Sequence, residues 1–198
     1  MAQNGLELIS VEDPYESLWK DRPALPMNAP FILPLTYCGT DSTTKIEKIR
    51  QQIRANQADG MLVSALDEIA WTLNMRGNDV HCNPVFVSYL LITEQRTVLY
   101  ILPEKLTLEI QEYLNKLQVE IQDYRNVEKG LREYAGKAIL LPPSTNYSLY
   151  QAAASATTVV TALSPVLYLK AIKNDTEIAG FHAAVQREGL AMVNFLDL

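Results

Sequence analysis

The sequence predicts an α/β domain with a mixed β-sheet flanked by helices, preceded by an extended N-terminal arm and followed by a C-terminal helix. Three observations predict this fold class. Short β-rich runs alternate with amphipathic helical segments through the middle of the chain. Five prolines fall within the first forty residues, and the last twenty-five residues carry apolar side chains at helical spacing.

The composition is that of one ordinary globular unit, with 198 residues, 48% of them hydrophobic and 20% charged. A net charge of -6 argues against a nucleic-acid-binding surface. No apolar stretch approaches the roughly 18 residues of a membrane-spanning helix, and the N-terminus has neither the basic start nor the apolar core of a secretory signal. With Cys38 and Cys82 as its two cysteines, the chain is not expected to have a disulfide framework, so reduced thiols and a cytoplasmic location are predicted. The two cysteines also form no metal-binding motif.

Residues 1–42 are predicted to form the arm, because proline fixes φ and removes an amide donor, which opposes both helix and sheet. Such an arm runs over a surface and needs apolar anchors. The side chains that could serve are Leu18, Trp19, Phe31, Ile32 and Leu33.

Residues 43–170 are predicted to form the domain. Its first helix begins after Asp41–Thr44, which offers N-cap side chains, and ends at Gly60, which would act as a C-cap. Three isoleucines lie on one face of this helix: Ile46, Ile49 and Ile53.

Strands and helices then alternate. The predicted strands cover residues 61–65, 85–93, 97–102, 119–124, 137–141 and 166–169. The predicted helices cover residues 66–73, 108–117, 127–135 and 147–155. The turn near Glu94–Arg96 predicts a hairpin between the second and third strands.

The last segment, residues 171–198, is predicted to be a helix capped by Asn174 or Asp175, with Glu177 in its first turn. Its apolar stripe consists of Ile178, Phe181, Val185, Leu190, Val193 and Leu196. The stripe still runs at Leu198, with no C-cap glycine, which predicts that the chain has been cut from a longer protein. Exposed apolar faces on the arm and this helix favour self-association, and a homodimer is possible.

A polar centre at residues 74–83 lies between two apolar runs. Unpaired buried polar groups cost roughly 1–3 kcal/mol, so these side chains require partners. In a structural interpretation, Arg76 pairs with Asp79, and Gly77 turns the backbone at a positive φ. The remaining polar side chains then bond the backbone of the turn: Asn74, Asn78 and Asn83.

In a functional interpretation, Arg76 and His81 face a cleft and contact an anionic or polar ligand. The sequence favours the structural interpretation, since a turn of this kind needs no ligand. The two interpretations assign different neighbours to Arg76.

The sequence shows no complete active site. His81 and His182 are the only histidines, and the adjacent His81 and Cys82 lack a third group to complete a triad. Asp67–Glu68 could be a metal pair, although their position at a helix start favours a capping role. We therefore predict no catalytic and no metal-binding residue in this chain, and no glycine-rich phosphate loop is present.

The run ALDEIAWTLNMRGNDVHCNPVFVSYLLI closely resembles a stretch of the Xaa-Pro aminopeptidases of the creatinase and prolidase group. The arm sequence ESLWKDRPALP resembles the I-W-x-D-R-P-x-x-P linker of that family. The tail resembles the K-N-x-x-E-x-x-G-x-x-x-A-x-x-x-D-x-x-A segment that opens the family's catalytic domain. Here Glu188 replaces the usual aspartate, and the matching residues are Lys173, Asn174, Glu177, Gly180, Ala184 and Ala191.

This resemblance implies that residues 43–170 are a second creatinase-like N-terminal domain and that residues 171–198 begin a pita-bread catalytic domain. The family removes the N-terminal residue from peptides with proline in second position, using two divalent ions, usually manganese, whose ligands match no position of this chain. The chain is then expected to be inactive alone, to bind no metal, and to shape the substrate cleft, with Arg76 and His81 as cleft residues. A stand-alone creatinase-like binding module, or part of a prolidase or creatinase-type hydrolase, stays open as an alternative.

Overall fold

The computed structural model describes residue 9, residue 11 and residues 13–196. The expectation that the N-terminus is no secretory signal concerns residues that lie mostly outside this range. Leu198, at which the apolar stripe was expected to continue, also lies outside it.

The described chain forms eight strands and eight helices. The strands are β1 (Phe31–Ile32), β2 (Gly60–Val63), β3 (Met75–Arg76), β4 (Ser88–Thr93), β5 (Thr97–Ile101), β6 (Val119–Asp123), β7 (Ala138–Leu141) and β8 (Thr158–Thr161). The helices are α1 (Leu35–Cys38), α2 (Ser42–Ala55), α3 (Leu66–Thr72), α4 (Leu108–Lys116), α5 (Val127–Arg132), α6 (Tyr147–Ala154), α7 (Pro165–Ala171) and α8 (Asp175–Leu196).

Six strands form one mixed sheet in the order β6-β5-β4-β2-β7-β8. β4 runs antiparallel to both β2 and β5, and the β4–β5 pair is the predicted hairpin. The other three pairs are parallel. The predicted α/β class with a mixed sheet flanked by helices is confirmed.

Helices cover both faces of the sheet. Because successive strand residues point to opposite faces, Met61 and Val63 pack with α2, α3, α4 and α7, whereas Leu62 packs with α5 and α6. A strand covered on both faces is apolar at nearly every position. All five residues of β5 are buried for this reason.

The predicted C-cap of the first helix is wrong. α2 starts as expected, with the Thr44 N–H donating to Asp41 Oδ1 at 2.8 Å, but it ends at Ala55 and the chain reverses at Gln57, whose φ is 57°. Gly60 is the first residue of β2 instead. A Cβ there would lie 2.6 Å from the Tyr134 hydroxyl, so close packing explains this glycine.

The predicted last strand, residues 166–169, is also wrong, because it lies in α7. Ser164 precedes that helix and Pro165 occupies its first turn, where a proline ring fits without loss of a hydrogen bond. The true last strand, β8, lies in a run of small and hydroxyl-bearing residues and pairs only with β7. Short apolar runs do not distinguish strand from helix.

In its described part, the arm contacts the domain near its C-terminal end. β1 pairs antiparallel with β3, and the Leu33 N–H donates to the Asn74 carbonyl at 2.8 Å. Ile32 packs on the core and Leu33 is half-buried. Three of the predicted anchors are exposed, with 76% of Leu18, 52% of Trp19 and 47% of Phe31 accessible to solvent.

α8 begins with a capping box. The Glu177 N–H donates to Asn174 Oδ1 at 2.9 Å, and the Asn174 N–H donates to Glu177 Oε2 at 3.0 Å. None of the described α8 residues is buried. Within the described part of the chain, no helix is both long and apolar enough to cross a membrane.

Candidate functional site

The polar centre joins several elements rather than forming a self-contained turn. Asn74 adopts a positive φ of 50° and bonds two other segments. Its Nδ2 donates to the Thr40 carbonyl at 2.9 Å, and its Oδ1 accepts from Lys45 Nζ at 2.6 Å. This side chain therefore ties the loop to the arm and to α2.

Lys45 is buried beneath the loop. Its amine donates to the Trp71 carbonyl at 2.9 Å and lies 4.3 Å from the Trp71 ring centroid. Burial lowers the pKa of Lys45 to about 8, although the charges of Cys38 and Glu177 act in the opposite direction. The sequence contained a signal for this lysine, since it precedes Ile49 by four residues and therefore shares the buried face of α2.

Asp79 pairs with Lys105, and both side chains have no solvent exposure. Asp79 Oδ2 also accepts from the Val87 N–H at 2.6 Å, while Asp79 Oδ1 has no hydrogen-bond partner among the described residues. The predicted Arg76–Asp79 pair is wrong, because Lys105 takes that place. No local pattern pointed to Lys105, which lies 26 residues further along the chain.

The predicted role of Gly77 is also wrong, since its φ is not positive. A Cβ on Gly77 would lie 2.8 Å from both the Phe86 Cβ and the Val85 carbonyl oxygen, so glycine is needed for close packing of the backbone. The left-handed residues of this loop are Asn74 and Cys82, with φ values of 50° and 58°. The side chains of Asn78 and Asn83, predicted to bond the turn, are exposed and form no hydrogen bond with other described residues.

Arg76 is half-buried, and of its guanidinium nitrogens only Nη1 forms hydrogen bonds with described residues. Nη1 donates to the Ala70 carbonyl at 2.8 Å and to the Met75 carbonyl at 2.9 Å. A guanidinium has five donors, so Nε and Nη2 are left for other partners. Burial lowers the pKa of Arg76, and the charges of Cys38 and Glu177 raise it.

Arg76 lines a groove of about 410 Å³ between the loop and α8. We call this the Arg76 groove, and its lining includes Trp71, Arg76, Pro84, Lys173, Glu177 and Phe181. The Trp71 Nε1–H donates to Glu177 Oε1 at 3.1 Å, which fixes the indole against the start of α8. The groove thus combines a cation with aromatic and apolar walls.

His81 is exposed on the loop and is not among the residues that line the Arg76 groove. The structure therefore does not bring Arg76 and His81 together in one cleft, and a substrate contact of His81 stays a prediction. His182, on α8, is exposed as well.

Asp67 and Glu68 bond α7 and provide neither a side-chain cap nor a metal pair. Asp67 pairs with Lys170, and buried Glu68 accepts from the Ser164 hydroxyl at 2.6 Å. Burial raises the pKa of Glu68. Within the described residues, no group of three or more histidine, cysteine, aspartate or glutamate side chains is arranged to hold a metal ion.

A larger cavity of about 830 Å³ lies on the other side of the sheet, next to α5. Several of its charged side chains have ion-pair partners, as Arg96 does in Glu120 at 2.7 Å and Lys129 in Glu133 at 3.9 Å. The Arg76 groove is the stronger candidate site, because Arg76 forms no ion pair with any described residue.

Comparison with known proteins identifies relatives of the whole chain. The family model described as the Creatinase/Prolidase N-terminal domain matches residues 21–177. Xaa-Pro aminopeptidase 1 of Dictyostelium discoideum is 37% identical over 176 residues, which cover 88% of this chain and 28% of that protein. The probable Xaa-Pro aminopeptidase P of Aspergillus niger is 36% identical over 207 residues, covering 98% of this chain and 34% of that protein.

Solved structures agree with these relatives. The X-prolyl aminopeptidase of Caenorhabditis elegans, described as a cytosolic enzyme with a di-nuclear active site, superposes with a TM-score of 0.91 and 27% identity over 98% of this chain and 33% of that one. The Xaa-Pro dipeptidase of Bacillus anthracis shares the fold. It superposes with a TM-score of 0.54 and 20% identity over 70% of this chain and 38% of that protein. The chain spans about a third of the length of the curated relatives, 28% and 34% for the two named above.

Proposed function

This chain belongs to the creatinase/prolidase N-terminal domain family, and from that premise we propose that it serves as a non-catalytic domain of a metal-dependent Xaa-Pro aminopeptidase. The reaction is removal of the N-terminal residue from peptides with proline in second position. The observation that carries the proposal is the TM-score of 0.91 to the Caenorhabditis elegans enzyme over 98% of this chain. Sequence identities of 37% and 36% to enzymes of the same name support it.

The described residues do not fit a two-metal centre. Such a centre needs several carboxylate and imidazole ligands that converge, and the carboxylates near the Arg76 groove already have partners. Asp67 pairs with Lys170, and Glu177 accepts from Trp71. We therefore assign the two divalent ions, proposed to be manganese, to a separate catalytic domain, and we infer that this chain alone hydrolyses nothing.

The proposed role of the domain is to form one wall of the substrate cleft. Residues 43–170 provide the second creatinase-like domain, and residues 171–198 provide the first helix of the catalytic domain. Arg76 is the proposed cleft residue. Support comes from its guanidinium, which lines the groove beside α8 and forms no ion pair with a described residue. The buried contacts of Lys45 and Asp79, which tie the loop to α2 and to Lys105, add to this support.

The cellular location is proposed from the Caenorhabditis elegans relative, and the assembly from the surface of α8. The Caenorhabditis elegans relative is described as cytosolic, and we propose the same location for this chain. Exposed apolar side chains along α8, such as Phe181 and Val193, support a role in assembly, including a homodimer contact.

A chimera tests this function. This chain replaces the aligned segment of the Dictyostelium discoideum enzyme. Hydrolysis of an Xaa-Pro peptide by the chimera is then measured with metal added. We expect a kcat/KM within about tenfold of the parent enzyme, a difference of about 1.4 kcal/mol. A folded, metal-loaded chimera that hydrolyses no Xaa-Pro peptide would contradict the proposal.

The same chimera tests the cleft assignment. Arg76→Ala should change KM or kcat for peptides of at least one length, short or long, whereas Arg96→Ala, at an exposed pair remote from the groove, should not. Unchanged kinetics for Arg76→Ala with both peptide lengths would remove Arg76 from the cleft.

A further inference from the structure

We propose that the Arg76 groove is a carboxylate subsite that binds the C-terminal carboxylate of a short peptide, with Arg76 as the binding residue. The hydrogen bonds of Arg76 determine which of its donors are available. Both hydrogens of Nη1 are directed to the Ala70 and Met75 carbonyls. The remaining edge, Nε and Nη2, has two parallel N–H groups, which is the geometry that binds a carboxylate through two hydrogen bonds.

The guanidinium of Arg76 forms no ion pair with a described residue, although the side chain is half-buried. The charge of Glu177 acts on Arg76 without forming an ion pair with it. A partly desolvated cation without a partner is unfavourable, and a bound carboxylate would offset that cost.

The nearest carboxylates are occupied by other donors. Glu177 accepts from the Trp71 indole through Oε1 and from the Asn174 N–H through Oε2. Asp67 pairs with Lys170. Lys173, which donates to the Lys170 carbonyl, adds a further positive charge to the groove lining. Among the described residues, neither carboxylate that lines the groove pairs with Arg76, and the proposed anion is that of a ligand.

The walls of the groove suit a peptide rather than an inorganic anion. Trp71 and Phe181 provide aromatic surface, and Pro84 and Val85 provide aliphatic surface. A volume of about 410 Å³ lies within the range of roughly 300–1,000 Å³ typical of small-ligand sites. An apolar side chain or a prolyl ring can pack on these walls while its carboxylate reaches Arg76.

A terminal carboxylate and an acidic side chain offer the same chemistry. The choice of the terminal group rests on the proposed function, because short substrates of an Xaa-Pro aminopeptidase end in a free carboxylate close to the scissile bond. Binding itself requires no catalysis, so the subsite can be tested separately from the chimera.

The test uses this chain with Trp19→Phe, which leaves Trp71 as the only tryptophan and as a fluorescence reporter of the groove. The probes are alanyl-prolyl-glycine as a free acid and as its amide. We expect the free acid to bind about tenfold or more tightly than the amide, because two charge-assisted hydrogen bonds are lost with the carboxylate. Equal affinity for acid and amide would overturn the proposal.

Variants locate the effect at Arg76. Arg76→Gln should abolish the preference for the free acid, and Arg76→Lys should weaken it, because an ammonium lacks the planar pair of donors. Arg96→Gln, which removes an exposed guanidinium paired with Glu120, is the matched control and should retain the full preference. Retention of the preference in folded Arg76→Gln would overturn the assignment.

Two further measurements check the folding of Arg76→Gln and the source of the bound carboxylate. If circular dichroism shows that Arg76→Gln is unfolded, the acid and amide comparison on the parent chain decides by itself. An amidated peptide with one internal glutamate distinguishes the source of the carboxylate. If it binds as tightly as the free acid, the terminal-carboxylate proposal is wrong, and if it binds as weakly as the plain amide, the proposal is supported.

Discussion

At the scale of single residues, two buried lysines determine the conformation of the loop beside the Arg76 groove. Lys105 neutralises Asp79, and Lys45 donates to Asn74 and to the Trp71 carbonyl. Amines so far from solvent are stable only with such partners. The loop is therefore held by side chains that lie elsewhere in the sequence.

Lys105→Met should lower the free energy of unfolding by about 3–5 kcal/mol, because it leaves the Asp79 carboxylate buried without a cation. The measurement is urea denaturation of the variant and the parent chain. The double variant Asp79→Leu with Lys105→Met should recover part of the loss, since it buries no charge.

Arg96→Met is the control for this pair. It breaks an exposed pair with Glu120 and should cost less than about 1 kcal/mol. Equal costs for Lys105→Met and Arg96→Met would show that the buried pair has no special role.

Lys45 predicts a pH dependence of stability. Its pKa is about 8 in the folded chain and about 10.4 when unfolded. Between these values the unfolded chain binds more protons than the folded chain, so stability rises with pH. The free-energy cost of burying the charged Lys45 amine is fully present below pH 8. It falls as the pH approaches the pKa of Lys45 in the unfolded chain.

Between pH 8 and about 10.4, the free energy of unfolding of the parent should rise by roughly 3 kcal/mol relative to that of Lys45→Met. Both proteins should carry Cys38→Ala, because this buried thiol lies near Lys45 and titrates in alkaline solution. Urea denaturation at several pH values provides the measurement. A difference that does not change with pH would show that Lys45 is not charged or not buried as described.

At the scale of elements, backbone contacts decide where glycine is required. Gly77 packs against Val85 and Phe86, whereas a Cβ on Gly180 in α8 would have no neighbour within 4 Å. The two glycines therefore respond oppositely to the same substitution.

Gly77→Ala should destabilise the chain by about 1–3 kcal/mol, because the added methyl group would displace backbone atoms. Gly180→Ala, the matched control, should stabilise α8 by roughly 0.5–1 kcal/mol through helix propensity. Thermal denaturation of both variants checks the opposite signs. A neutral Gly77→Ala would contradict the close approach of β3 and the segment before β4.

The cap of α8 predicts a local effect. Asn174→Ala removes the acceptor for the Glu177 N–H and also the bond from Asn174 Nδ2 to the Cys38 carbonyl at 2.8 Å. We expect faster amide hydrogen exchange in the first turn of α8 and a loss of about 1 kcal/mol. Asn146→Ala, which removes the corresponding cap of α6, should accelerate exchange in α6 and leave α8 unchanged.

Most elements were predictable because their signals are local. The Asp41 cap with the isoleucines of α2, and the turn between β4 and β5, each lie within a few residues. The misses have physical causes. Residues 166–169 are too few to show a period, and Lys105 reaches Asp79 across 26 residues through the tertiary fold. The orientation of Arg76 toward the groove depends on the carbonyls of Ala70 in α3 and Met75 in β3, which no sequence pattern reveals.

At the scale of the whole molecule, α8 differs from every other long helix, since none of its described residues is buried. Its contacts with the domain are made near its start, through Asn174, Glu177 and the groove wall. Stability of the domain should therefore depend little on the rest of this helix.

Deletion of residues 182–198 should change the free energy of unfolding by less than about 1 kcal/mol, because no described side chain of this part is in the core. Val166→Ala, which truncates a fully buried side chain of α7, should cost more than this, on the order of 1–3 kcal/mol. Urea denaturation compares the two variants. A loss of several kcal/mol on deletion would show that α8 stabilises the domain along its length.

Sequence patterns alone predict the α/β class, the hairpin, the capped last helix and the resemblance to Xaa-Pro aminopeptidases, since all of these depend on periodicity, caps and motifs within short windows. The partner of each polar side chain of the loop depends instead on how the chain packs. The physical reason is that a buried charge must be neutralised by whatever group the packed chain brings near it. Lys105 therefore pairs with Asp79, and Arg76 donates through Nη1 to two carbonyls without forming an ion pair with a described residue.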